Sequence, residues 1–207
     1  MPQPRHISAL GVPDPATLDD DLATIWAKCV EKLGFVPNVF ATYSKKPQRL
    51  RHFMAMYNDV MLAPSGLSKL EREMIAVVVS SANRCYYCLV AHGAAVRQLS
   101  GDPELGEMMA LNYRVAKLDA RQRAMLDFAW KMTTTPNLVD DTDRDALRTH
   151  GLSDDDLFDL AETTAFFNLS NRMASATDMM PNPEYHHSDR GPAFVPPPPK
   201  PKAAARA

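Results

Sequence analysis

The sequence predicts an all-α protein, and three observations carry that reading. Apolar residues recur at three-and-four spacing along almost the whole chain. No stretch alternates apolar and polar residues as a half-buried strand does, and no strand–helix–strand unit can be traced. Capping residues and stops bracket the periodic segments. A first helix is expected where Leu22, Ile25, Trp26, Cys29, Val30 and Leu33 share one face, with Gly34 as its stop. Leu50, Phe53, Met54, Tyr57, Val60 and Met61 repeat the pattern after Pro47. Ser68 and Glu71 then stand as a capping box ahead of an apolar run. The next helix opens near Cys85 and continues to Leu99, closed by Gly101 and Pro103. Further helices are expected over Arg121–Thr133, around Thr142–His150, and from Ser153 to about Ala176. In the last of these "SDDD" sets acidic residues at the positive N-terminus.

Leu67, Arg72 and Met74 match Leu118, Arg123 and Met125 at an offset of 51 residues. A duplication explains this, and so does chance similarity between amphipathic helices. Residues 1–190 read as one all-helical domain. Residues 191–207, with "VPPPPKPK", read as a proline-rich tail that favours an extended polyproline II arm.

The 207 residues are 45% hydrophobic and 23% charged, a globular composition large enough for a sizeable core. A net charge of −2 offers no basic field, so neither nucleic acid nor an anionic membrane is an expected partner. No apolar run approaches the roughly 20 residues that span a bilayer. The opening "MPQPRHISALGVPDP" has no leader pattern, and a cytoplasmic protein is expected. Three cysteines make no disulfide framework, and in a reducing compartment a CxxC is usually catalytic or metal-binding.

That CxxC is Cys85-Tyr-Tyr-Cys88, followed by His92. Placed in the first turn of a helix, Cys85, Cys88 and His92 lie along one face. A helix N-terminus stabilises a thiolate, the nucleophilic form, which favours Cys85 as the attacking sulfur. His92 can accept or return a proton, and Glu73 comes alongside if the short "SSANR" connection folds two helices into an antiparallel pair. Tyr87 is close enough to the thiols to line a pocket. A structural zinc site needs four ligands, and this stretch supplies two sulfurs and one imidazole, so Cys29 or Glu73 would have to complete it. A thioredoxin-type enzyme would carry its CxxC after a strand, which is missing here. Cys29 reads as a small buried hydrophobe and the 12 methionines as packing material. His186 and His187 read as surface or interface residues. No metal and no cofactor is expected.

Glu73, eleven intervening residues, Cys85-Tyr-Tyr-Cys88, three residues and His92 resemble the E-x11-CxxC-x3-H signature of the AhpD-like alkylhydroperoxidases, within the carboxymuconolactone decarboxylase superfamily. "GFVPNVF", "GLSKLEREMIAVVVS", "AHGAAVR" and "NRMASATDMMPNPEY" are similar to its peroxidase-related subgroup, and the resemblance covers about residues 8 to 190. It implies an AhpD-like helical fold assembling into trimers or hexamers, and thiol-dependent reduction of a hydroperoxide substrate. It implies that Cys88 attacks the peroxide, Cys85 condenses with the sulfenic acid, and Glu73 and His92 move protons. The reductant would be a lipoyl protein, a small thiol or a peroxiredoxin. The chain departs from the archetype at Tyr87, where a histidine precedes the second cysteine. A redox-sensing dithiol without turnover and, further off, a metal-binding module are the alternatives. Decarboxylation is not suggested, because members with that chemistry do not depend on a CxxC.

Overall fold

A computed structural model describes residues 3–191 of the chain. Among these residues every regular element is helical: α1 Asp20–Leu33, α2 Asn38–Tyr43, α3 Pro47–Leu62, α4 Lys69–Ala82, α5 Tyr86–Ser100, α6 Pro103–Asn112, α7 Ala120–Thr134, α8 Asp141–Thr149 and α9 Asp154–Ala176, with short 3-10 turns between some of them. The proline-rich tail falls outside the described residues from position 192 onward. No helix among the described residues is long and apolar enough to cross a membrane.

The expected starts and stops are met by specific bonds. Gly34 and Gly101 end α1 and α5 in the left-handed conformation at φ 83° and 67°, which a residue without Cβ adopts at least cost. Ser68 accepts from the Glu71 N–H while Glu71 accepts from the Ser68 N–H, completing the capping box of α4. Ser153 does the same with Asp156 at the start of α9.

One expectation needs correction. Pro103 does not merely close α5. It opens α6 at its first position behind Asp102, whose carboxylate accepts from the Glu104 and Leu105 N–H groups. Proline is suited there because its missing N–H would be unpaired in any case. The apolar face of α1 is also only half covered. Leu22 and Cys29 are buried, whereas Val30 and Leu33 are 51% and 54% exposed.

The centre of the molecule is α4. Ile75 through Val79 are fully buried, because α5, α6, α7 and α9 all pack around this helix. A helix apolar on every side must be enclosed in this way. The repeat at offset 51 recurs in the bonds. Asp119 and Gln122 form a capping box for α7 as Ser68 and Glu71 do for α4. The Arg72 guanidinium donates to the carbonyls of Val60 and Ala63. The Arg123 guanidinium donates to those of Tyr113, Arg114 and Ala116, and Arg114 stands 51 residues after Ala63. Each arginine clamps the C-terminal end of the segment before its helix, a shared construction that periodicity alone does not produce.

After α9 the chain returns across the molecule as a strap from Thr177 to Ser188. The Ala9 N–H donates to the Thr177 carbonyl and the Met180 N–H to the Ile7 carbonyl. Asn182 accepts from the Asn38 N–H and donates to the Val36 carbonyl. Buried Arg97 of α5 donates to the carbonyls of Tyr185 and Ser188. The Arg97 bonds fix the strap at Tyr185 and Ser188 to the C-terminal turn of α5.

Candidate active site

Only three residues separate α4 from α5, and their geometry fixes the first cysteine. Arg84 adopts a left-handed φ of 54°, and the Cys85 N–H then donates to the Ser80 carbonyl at 2.9 Å. Cys85 is consequently the N-cap of α5 rather than a first-turn residue, with Cys88 one turn inside. Both sulfurs are free thiols, and both residues are buried, at 1% and 0% exposure. They share a small apolar cluster with Tyr87, Ala174 and Met179, against which Val39 and Ala91 pack.

The hydrogen bond between the two thiols is the largest influence on which sulfur carries the charge. The Cys88 S–H and the Cys88 backbone N–H both favour a thiolate on Cys85, and the His92 charge and the Ser175 hydroxyl add to this. Together they outweigh burial and lower the Cys85 pKa to about 7. The Cys88 thiol goes the other way. Its hydrogen bond to Cys85, its burial and the Cys85 charge hold it well above the usual thiol range, against smaller opposing effects of Asn171 and Ser170. Thiolate character therefore belongs to Cys85. That agrees with the helix-terminus argument and runs against the order of attack that the family resemblance implies.

Glu73 and His92 come together from α4 and α5. His92 Nδ1 lies 2.7 Å from Glu73 Oε2, and since a carboxylate only accepts, Nδ1 is the donor. The bond fixes the ring and leaves Nε2 free to exchange a proton. The Phe167 ring packs edge-on against the imidazole at 4.6 Å and shields the pair. Tyr87 is buried, and its hydroxyl accepts from the Val39 N–H at 3.1 Å. Burial pushes its pKa well above the usual phenol range, so it stays protonated and anchors the start of α2.

Residue patterns did not single out the walls of the site. Ser170, Asn171 and Ser175 reach the thiols from α9. Asn171 is itself held by bonds to Ser80 and Asn83. Tyr57 and Tyr185 sit where the Glu73 charge opposes their ionisation. The signal was present in two quoted segments. "GFVPNVF" carries Asn38 and Val39, and "NRMASATDMMPNPEY" carries Asn171, Ser175, Met179 and Tyr185. Cys29 lies on α1, and His186 bonds Gln3 and Tyr86 near the surface. Among the described residues no three His, Cys, Asp or Glu side chains are arranged to hold a metal ion.

A family model, that of the carboxymuconolactone decarboxylase family, matches residues 47–125, a span that includes Glu73, both cysteines and His92. An uncharacterized peroxidase-related protein from Silicibacter sp. TM1040 is 59% identical over 92% of this chain and 100% of its own, with a TM-score of 0.88. The chain belongs to the carboxymuconolactone decarboxylase family, among its AhpD-like members. A second structure from that AhpD-like group, an uncharacterized peroxidase-related protein from Ralstonia eutropha JMP134, is 45% identical over 93% of this chain and 100% of its own, with a TM-score of 0.87. The debrominase Bmp8 shares the fold at 19% identity, with a TM-score of 0.72 over 89% of this chain and 96% of that one. Among curated proteins none matches.

Proposed function

We propose that this AhpD-like protein is a thiol-dependent peroxidase that reduces hydroperoxides through the Cys85–Cys88 pair. The observation that carries the reading is a carboxylate–imidazole bond from two packed helices, beside a buried dithiol with one sulfur poised to ionise near neutral pH. Cys85 passes its proton toward His92, whose ring Glu73 holds in place, and the thiolate sulfur attacks the terminal oxygen of the hydroperoxide. An S–O bond forms as the O–O bond breaks. The sulfur loses two electrons and becomes a sulfenic acid, and the alkoxide leaves as an alcohol with the surrendered proton. The Cys88 sulfur then attacks the sulfenic sulfur, forming the disulfide and releasing water. An external dithiol or thiol reductant (lipoyl protein, small thiol or peroxiredoxin) restores both thiols by exchange. Tight packing around the pair serves this sequence, because a sulfenic acid shielded from bulk solvent meets Cys88 before a second peroxide.

The names of the Silicibacter and Ralstonia relatives support a peroxidase-related reading. We further propose assembly into a trimer or hexamer, consistent with the uncovered Val30 and Leu33 on α1. Light scattering tests this, and a mass equal to one chain contradicts it. Burial of both sulfurs favours a second reading, a redox-sensing dithiol without turnover. Peroxide consumption with dithiothreitol or dihydrolipoamide, using cumene and tert-butyl hydroperoxide, separates the two. Sustained turnover supports the peroxidase. A single stoichiometric oxidation, not renewed by any thiol, supports the sensor.

A further inference from the structure

Both sulfurs of the pair are buried, so whatever reacts with them needs a way in. The walls that close them off are fixed in different ways. The helices α5 and α9 pack against α4 in the core. Val39 of α2 is tied to α5 by the bond from its N–H to the Tyr87 hydroxyl. Met179 differs from these. It lies just past the end of α9, outside any helix, and it packs into the same cluster as Cys85, Tyr87 and Cys88.

The stretch that carries Met179, residues 177–181, is held down chiefly by a second non-helical segment, residues 3–9. The Ala9 N–H and the Ser8 hydroxyl both donate to the Thr177 carbonyl, at 2.9 and 3.0 Å. His6 Nε2 donates to Asp178, 2.8 Å from Oδ2 and 3.1 Å from the carbonyl oxygen. The Met180 N–H donates to the Ile7 carbonyl, and Gln3 Nε2 donates to the Pro181 carbonyl at 2.8 Å. Apart from bonds back to α9, the remaining hydrogen bond among the described residues runs from Asn38 Nδ2 to the Met180 carbonyl. The other end of the Gln3 amide reaches the cysteine helix. Its Oε1 accepts from the hydroxyl of Tyr86, the residue after Cys85, at 3.1 Å, and lies 3.0 Å from His186 Nε2. One side chain therefore joins residues 3–9, the first residue of α5 and two points of the strap. Asp178, where the chain turns off α9, holds a left-handed φ of 47°, which few residues other than glycine adopt.

We propose that Met179 is the gate of the dithiol and residues 3–9 its latch, so that the breadth of an incoming molecule decides whether it reaches the sulfurs. The methionine side chain, unbranched and with three rotatable bonds, swings aside for a slender reactant. A broader one needs residues 177–181 lifted about Asp178, which breaks their bonds to residues 3–9. A local opening of this kind leaves the core helices packed and costs far less than unfolding. A hydroperoxide or thiol group at the end of a slender chain enters, and one set on a broad surface does not. Met179 is thus a specificity-determining residue. The gate serves the pair as peroxidase or as sensor alike, so it stands apart from the reading of turnover.

The test alkylates Cys85 with iodoacetamide and with 5-iodoacetamidofluorescein, which carry the same reacting group on a slight and a broad body. The ratio of the two rates at one sulfur cancels any change in its thiolate share. Wild type is expected to favour iodoacetamide about tenfold or more beyond the preference that glutathione shows. Gln3→Ala/His6→Ala removes the side-chain bonds of the latch and should speed the fluorescein reagent about tenfold relative to iodoacetamide. Met179→Ala should shift the ratio in the same direction. Cys29 on α1 is the control, and its ratio should stay at the wild-type value in every variant. A wild-type ratio equal to that of glutathione, equal changes with both reagents in the variants, or a matching shift at Cys29 overturns the proposal. Should Met179→Ala fail to fold, the latch variant gives the same reading without touching the buried cluster. Alkylation needs no peroxide, so the gate can fail while the peroxidase reading stands, and the reverse.

Discussion

Replacing Cys88 by alanine should raise the Cys85 pKa, because the Cys88 S–H is the largest influence holding the Cys85 thiolate down near 7. With that donor gone, burial still opposes the charge while the residue-88 N–H, His92 and Ser175 still favour it, and the pKa should move up toward the ordinary thiol value of about 8.5. The thiolate share at pH 7 then drops from about half toward a few per cent. Alkylation by iodoacetamide consumes only the thiolate, so its rate at Cys85 should fall severalfold, up to roughly tenfold, at pH 7 and converge with wild type above pH 9. Cys88→Ser puts a hydroxyl donor at the same place and should keep most of the wild-type rate. Mass spectrometry of digests assigns the modified residue. Cys29, whose pKa burial raises, serves as a slow internal reference. An unchanged midpoint in Cys88→Ala, or a wild type whose first alkylated residue is Cys88, refutes the assignment of the thiolate.

Stability of the reduced protein should peak near pH 8.5. Between about 7 and 8.5 the unfolded chain holds both thiol protons and the folded chain one, so unfolding free energy rises by roughly 1.4 kcal/mol per pH unit. Above 8.5 the unfolded chain has lost both while folded Cys88 keeps its own, and the slope reverses. Urea midpoints across this range should show the peak in the reduced form and lose it once the pair is oxidised to a disulfide. Glu73→Gln keeps a hydrogen-bonding side chain of the same size but not the charge, and it should lower peroxide turnover on the order of 10²-fold with the thermal midpoint little changed. Gly106→Ala places a Cβ 2.8 Å from Arg97 Cγ and 3.0 Å from the Gly93 carbonyl oxygen. The backbone cannot yield there, so a loss of about 1–3 kcal/mol is expected in urea unfolding, with strap amides near Tyr185 exchanging faster.

Most of the helical framework was legible because its signals are local. Ser68 with Glu71, Gly34, Gly101 and Ser153 each act within one turn of themselves, and each does what its type predicts. Pro103 was misread because proline both ends one helix and begins another, and only the preceding Asp102 distinguishes the cases. On α1 periodicity reports amphipathicity, not what covers the apolar side, and here Val30 and Leu33 stay open. At the site, Glu73 and His92 could be paired in advance since a short connection links their helices. Tyr57 and Tyr185 could not, because 128 residues separate them and only the return of the strap brings them to one carboxylate. The preference for Cys85 as thiolate was readable from its place at a helix start, and the depth of the effect came from the Cys88 S–H, which needs coordinates.

The central claim is tested most directly by adding one equivalent of cumene hydroperoxide to the fully reduced protein and following both partners. The account predicts loss of one peroxide per chain, release of one alcohol, and a 2 Da decrease in mass that maps to a Cys85–Cys88 bond with Cys29 still free. Peroxide that persists while all three thiols remain titratable would contradict it.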